Sequence, residues 1–191
     1  MHILYGGSFN PPTLAHEAII KKINDLFKPT KIIIMPVGRS YTRKDHQANI
    51  DRIKMLELIA KKYKNVEISD YEINNPFNGT IKTLEYLENL YQAKFSFVMG
   101  ADNLLEIKTW IDYEELLKNY HIICFNRNNL LDKNSVKNIA DSYQAKIDLI
   151  PLNKDISSSD IRKDLELNKN NLSKEIYDYI KTNHLYKEDH E

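Results

Sequence analysis

The sequence predicts an α/β fold: a doubly wound, mostly parallel sheet with helices on both faces, followed by C-terminal helices. Three observations predict it. Short β-branched runs alternate with longer stretches of helical period. The strand-like runs are apolar without interruption, as strands buried on both faces must be. No repeat, low-complexity stretch or Pro/Gly/Ser linker breaks the alternation, so residues 1–191 read as a single domain.

His2–Tyr5 is the first strand. Leu14, Ala18, Ile19, Ile23 and Leu26 then recur at helical spacing up to Phe27, and Pro29 closes that helix. Lys31–Met35 is a strand ended by Pro36. Ile53, Leu56, Ala60 and Tyr63 mark a second helix, and Val66–Ile68 a short strand. Ile81, Leu84, Leu87 and Tyr91 mark a third helix, and Phe95–Met99 a strand ended by Gly100. A partly helical stretch leads to the strand Tyr120–Phe125, a weak helix Val136–Tyr143 and the strand Lys146–Ile150. Helices at about Ser158–Leu165 and Ser173–Thr182 complete the chain.

Composition narrows the function classes. Basic and acidic residues balance at 27 each, with a pI near 7.0, which argues against binding nucleic acid or membranes through net charge. The apolar runs fall far short of the roughly 20 residues of a membrane span. The only cysteine, Cys124, sits in an apolar run and reads as a buried, inert thiol. The first strand starts at once, with no signal peptide in front of it, and a cytoplasmic protein is the expectation.

In sheets of this kind ligands bind outside the carboxyl ends of the strands. Three segments there carry unusual residues. The first, Gly6-Gly7-Ser8-Phe9-Asn10-Pro11-Pro12-Thr13-Leu14-Ala15-His16, opens the first helix. Paired glycines let the backbone turn sharply and let a ligand approach the main chain. Thr13 can cap the helix, and His16, one turn in, can add a donor toward an anion. A plain strand-to-helix turn with a surface histidine explains the same residues. Neither G-x-x-x-x-G-K-[ST] nor G-x-G-x-x-G is present, which disfavours kinases and dehydrogenases of those types.

The second segment, Ile156-Ser157-Ser158-Ser159-Asp160-Ile161-Arg162, brings hydroxyls and a guanidinium to a helix start. Its plainer reading is an N-cap beside a solvated Arg. In the third, Gly100 permits close approach and Asp102 can accept from ribose hydroxyls, while Trp110 can stack on a flat, cationic heterocycle. A helix cap and core packing are the plainer readings of Asp102 and Trp110.

The first segment resembles the signature of the nucleotidylyltransferase superfamily, a glycine-aromatic-x-proline loop ending in [His or Thr]-x-Gly-His, with Ala15 in the glycine's place. The second resembles that superfamily's Ile-Ser-Ser-Thr-x-Ile-[Arg or Lys], with Ser159 for the Thr. The resemblance implies the Rossmann-like fold of that superfamily. It also implies that Gly6, Gly7, Ser8, Phe9, Thr13 and His16 hold ATP together with Ile156, Ser157, Ser158, Ser159 and Arg162.

Gly100-Ala101-Asp102 followed by Trp110 is similar to the bacterial nicotinate-nucleotide adenylyltransferase family. So are Arg52-Ile53-Lys54-Met55-Leu56, Thr80-Ile81-Lys82-Thr83-Leu84 and the C-terminal run Ile176–Tyr186. The likeness spans nearly the whole chain. It implies transfer of AMP from ATP to nicotinate mononucleotide, giving deamido-NAD and pyrophosphate, as a step of NAD biosynthesis. Thr80, Thr83, Gly100, Asp102, Trp110 and Arg127 would hold the mononucleotide, though a surface loop charge explains Arg127 equally well. His16 and Arg162 would stabilise the charge of transfer, with Lys44 assisting and Mg2+ accompanying ATP. No dedicated protein metal site is expected, because the histidines lack ligand spacing. Two departures bear on the acceptor: Asn78-Gly79-Thr80 replaces the usual Ser-Tyr-Thr, and Pro-Pro-His is missing before Lys44. Nicotinamide mononucleotide, phosphopantetheine, or a non-catalytic nucleotide-binding regulator stay open as alternatives, as does a homo-oligomer.

Overall fold

A computed structural model of the protein describes residues 1–38, 49–154 and 156–186. Six strands form one sheet: β1 (His2–Gly7), β2 (Lys31–Pro36), β3 (Val66–Ile68), β4 (Phe95–Gly100), β5 (His121–Arg127) and β6 (Ile147–Leu152). Their order is β3-β2-β1-β4-β5-β6, and every pairing is parallel. The chain builds outward from β1 through β2 to β3, then returns to lay β4 on the other side of β1. That reversal opens a crevice at the carboxyl ends of β1 and β4, where such sheets bind ligands.

The helices are α1 (Leu14–Phe27), α2 (Asn49–Ala60), α3 (Tyr71–Asn74), α4 (Thr80–Tyr91), α5 (Ala101–Leu105), α6 (Tyr113–Asn119), α7 (Lys133–Tyr143), α8 (Ser158–Lys163) and α9 (Lys174–Thr182). Short 3-10 turns occupy Ile107–Thr109 and Lys169–Asn171. Side chains alternate across each strand, so the sheet carries two cores. Ile3, Ile32, Ile34, Val98, Ile123 and Phe125 face Ile20, Leu56, Ile161 and Ile176 of α1, α2, α8 and α9. Leu4, Ile33, Met35, Phe97, Ile122 and Cys124 face Leu84, Leu104, Leu116 and Val136 of α4 to α7. Helices on both faces account for the uninterrupted apolar runs.

The fold departs from the sequence reading in small ways. The strands β1, β5 and β6 run up to two residues further at their carboxyl ends, and α8 stops at Lys163 because Asp164 is extended. The four-residue α3 is too short to show a period, and the sequence reading passes over it. Cys124 is buried, and burial together with the nearby Asp102 charge pushes its thiol up to about 12. Among the described residues no helix is long and apolar enough to cross a membrane.

Candidate active site

The segment after β1 begins with the glycine pair, whose role differs from the expected one. Gly6 and Gly7 end a regular strand, and Phe9 is the residue at positive φ (47°) in the loop that follows. The glycines therefore serve close packing. A β-carbon on Gly7 would press the Phe9 ring at 3.0 Å, while one on Gly6 would meet only Phe97, at 3.7 Å. Gly6 is thus bare of side chain where the cleft meets the strand.

Thr13 caps α1 by accepting from the Ala15 N–H at 3.2 Å. The reciprocal bond of the capping box comes from His16, whose Nδ1 accepts the Thr13 N–H at 2.9 Å. A ring nitrogen that accepts carries no proton, so the neutral imidazole holds its proton on Nε2. Phe9 lies edge-on to the ring at a centroid separation of 5.1 Å. Burial, and then the charge of Arg127, hold the His16 pKa down to about 4. The histidine is thereby fixed in orientation, tautomer and charge: a neutral donor on the wall of the cleft.

The late segment follows β6. Ser157 caps α8 by accepting from the Ser159 N–H at 3.1 Å. Ser158 Oγ donates to the Pro11 carbonyl at 2.9 Å, and Arg162 Nη1 donates to the Asn10 carbonyl at 2.6 Å. Arg162 Nη2 reaches Ser159 Oγ at 3.2 Å. Two segments at opposite ends of the sequence are thus fastened directly to each other.

The two segments form one side of a cleft of about 510 Å³. Gly6, Gly7, Ser8, Phe9, His16, Ile156, Ser157, Ser158, Ser159 and Arg162 all line it. Gly100, Asp102, Trp110, Thr80 and Arg127 line the rest. Trp110 packs edge-on against Phe97 at 6.1 Å, so its ring belongs to the core and the cleft at once. Arg127 Nη2 lies 3.8 Å from Asp102, and Nη1 is 3.5 Å from the Ile156 carbonyl. It therefore stands between the two sides of the cleft rather than out on a surface loop.

Two expected residues sit behind the wall. Thr13, 1 % exposed, acts on the cleft only through His16. Thr83, 2 % exposed and expected to meet the mononucleotide, donates its hydroxyl to Glu72 Oε1 at 2.7 Å, beneath the wall. Lys44 lies outside the described residues, as do Arg39 and Arg43.

Glu72 itself was missed by sequence reasoning. It is buried, lines the cleft near Phe77 and Thr80, and burial raises its pKa against the opposing effect of the Thr83 bond. Its only signal was a carboxylate within a strand-to-helix connection, which is too common to single out. Among the described residues no three His, Cys, Asp or Glu side chains come together as a metal site.

Comparisons with known proteins agree with this geometry. The model of the cytidylyltransferase-like family matches residues 4–164. A probable nicotinate-nucleotide adenylyltransferase of Acholeplasma laidlawii is 40% identical over 190 residues, covering 98% of each chain. A structure of Plasmodium falciparum nicotinic acid mononucleotide adenylyltransferase complexed with NaAD superposes with a TM-score of 0.82 at 26% identity, over 97% of this chain and 96% of that one. The same enzyme complexed with APC gives 0.79, with equal identity and coverage. With the loop after β1, the serine segment and the Gly-x-Asp…Trp wall joined in one crevice, the chain belongs to the nicotinate-nucleotide adenylyltransferase family, within the cytidylyltransferase-like proteins.

Proposed function

We propose that this cleft transfers the adenylyl group of ATP to the phosphate of nicotinate mononucleotide. A phosphate oxygen of the mononucleotide attacks the α-phosphorus in line. The bond from that phosphorus to the bridging oxygen of the β-phosphate breaks, and pyrophosphate leaves with the electron pair. The attacking phosphate is already an anion at neutral pH, so no base is required. The protein's task is to hold two mutually repelling anions in line, which can lower the barrier by roughly 7–11 kcal/mol.

The observation that carries this reading is the fastening of Ser158 to Pro11 and Arg162 to Asn10. It brings the hydroxyls of the late segment and the His16 imidazole to one wall. In this reading His16 donates from Nε2 to the triphosphate as charge builds, while Arg162 supplies positive charge and its unengaged donors. Ser157, Ser158 and Ser159 contact phosphate oxygens, and Gly6 and Gly7 let the nucleotide lie on the strand end. Asp102 accepts from a ribose and Trp110 stacks on the pyridine ring. Arg127, beside both Asp102 and Ile156, neutralises the mononucleotide phosphate at the junction of the two substrates. Lys44 assists from the loop after β2. Mg2+ enters as part of the ATP substrate, coordinated by phosphate oxygens and water, as suits an ion that keeps several waters. The protein acts as one domain in the cytoplasm.

Nicotinate is favoured over nicotinamide by the family likeness alone, so the acceptor needs a direct test. The chain is incubated with ATP and Mg2+ and, in turn, nicotinate mononucleotide, nicotinamide mononucleotide and phosphopantetheine. Dinucleotide and pyrophosphate are measured. Turnover is expected to be fastest with nicotinate mononucleotide. ATP binding with no pyrophosphate released in the presence of any acceptor would leave a nucleotide-binding regulator as the correct reading.

A further inference from the structure

We infer that Arg52 is a positioning residue for the triphosphate half of the reaction, acting from inside the protein. The inference rests on the proposed adenylyl transfer. Arg52 lies on α2 and is 0 % exposed. Its Nη1 donates to the Ser8 carbonyl at 2.9 Å. Its Nη2 donates to the Val37 carbonyl at 2.8 Å and to Asn49 Oδ1 at 2.6 Å. Its Nε finds no partner among the described residues.

Two features set this guanidinium apart from a structural arginine. A buried charge ordinarily meets an opposite charge, because desolvation is otherwise costly. Arg52 has only neutral acceptors: among the described residues no carboxylate pairs with it. Its carbonyl partners Ser8 and Val37 also sit just past the ends of β1 and β2, and both line the cleft. Ser8 is held by Arg52, Asn10 by Arg162 and Pro11 by Ser158, all through their carbonyl oxygens. Through the Ser8 carbonyl Arg52 fixes the backbone of a loop that lines the cleft, and a buried cation beside that loop adds positive potential there. Tyr186 braces the same loop by donating to Asn10 Oδ1 at 2.8 Å.

The test compares wild type with Arg52→Met, close in length but uncharged, and Arg52→Lys, which keeps charge without the two-pronged donor. Turnover is followed with ATP and nicotinate mononucleotide varied separately, and ATP binding is measured by calorimetry without acceptor. Arg52→Met is expected to raise KM and Kd for ATP about tenfold or more, with KM for the mononucleotide little changed, and Arg52→Lys to recover part of the loss. A merely structural role would lower the melting temperature and the active fraction while leaving KM for ATP unmoved, and that result overturns the inference. Should Arg52→Met fail to fold, Arg52→Lys decides alone: a selective rise for ATP supports the role, and equal changes for both substrates refute it. A wild-type protein that binds ATP without turnover would sink the transfer reading, yet the calorimetric comparison would still judge Arg52.

Discussion

Both ends of the sheet hold a histidine, a hydroxyl residue and a carboxylate, and the carboxyl end is the one where these groups line the cleft described above. At the amino-terminal edge Ser96, His121 and Asp148 line up across β4, β5 and β6. Ser96 Oγ is 3.1 Å from His121 Nδ1, and His121 Nε2 is 2.9 Å from Asp148 Oδ2. The sequence of groups is that of a nucleophile triad. Ser96 is nevertheless 3 % exposed, and both imidazole nitrogens are engaged. At the carboxyl edge the hydrogen bonds of His16 among the described residues use Nδ1, and the residue lines the cleft of about 510 Å³. The difference teaches that residue type does not make a site. Hydrogen-bonding capacity left over next to accessible space does.

The largest expected effect breaks or sustains that contrast directly. Removing one preorganised donor to a transition-state charge typically costs about 10²–10³-fold in kcat. His16→Ala should show a loss of that order, with the protein still folded by circular dichroism. His121→Ala should leave kcat near wild type. Equal losses in both variants would mean that the two ends do not differ as argued.

The second effect is on stability and runs the other way. His121→Ala leaves the Ser96 hydroxyl buried without its partner, which costs roughly 1–3 kcal/mol. Urea unfolding should register that loss, and Ser96→Ala combined with His121→Ala should recover part of it. A double variant no better than the single one would argue that the pair does not interact.

The sequence made much of this legible because the relevant physics is local. Uninterrupted apolar runs gave the buried strands, and helical spacing gave α1 to its observed ends, Leu14 and Phe27. The three post-strand segments were identified by their position and by the unusual residues they carry. What stayed hidden depends on contacts across the chain. From its own segment Ser158 reads as a cap; only the fold brings it to Pro11. Glu72 and Thr83 are unremarkable apart, and their pairing depends on how α3 packs beside α4. The glycine pair suggested a turn because glycine permits one, whereas the left-handed position went to Phe9. Arg52 stood out only as part of the family-like Arg52-Ile53-Lys54-Met55-Leu56 element, and its burial depends on how α2 packs against the ends of β1 and β2.

The pH dependence of stability sharpens the contrast further. The His16 pKa lies at about 4 in the folded protein, against 6.5 ordinarily. Between those values the unfolded chain takes up a proton that the folded chain does not, so stability rises with pH in that window. The contribution is complete above about pH 6.5 and is lost as pH falls toward 4, amounting to roughly 1–3 kcal/mol. Chemical denaturation of wild type and His16→Asn at about pH 7.5 and 4.5 checks the sign. Wild type should lose more stability on acidification than the variant, and parallel losses would remove His16 as the cause.

The smallest effect concerns the fastening between the loop after β1 and the serine segment. Ser158→Ala deletes the hydroxyl that donates to the Pro11 carbonyl, a bond whose net worth is about 1 kcal/mol. Pro11 is buried, so its carbonyl loses a partner that water cannot easily replace. Arg162 still holds Asn10, which limits the displacement of the loop. The variant should therefore fold, lose about 1 kcal/mol in urea unfolding, and show a modest rise in KM for ATP with the mononucleotide KM steady. Arg162→Ala alongside it separates fastening from phosphate binding. If the two residues act as one clamp, their effects on stability will fall short of additive, because the second loss finds the loop already released. Strict additivity would instead mean that each segment keeps its shape alone, and that the cleft wall is held by the sheet rather than by the bonds that cross it.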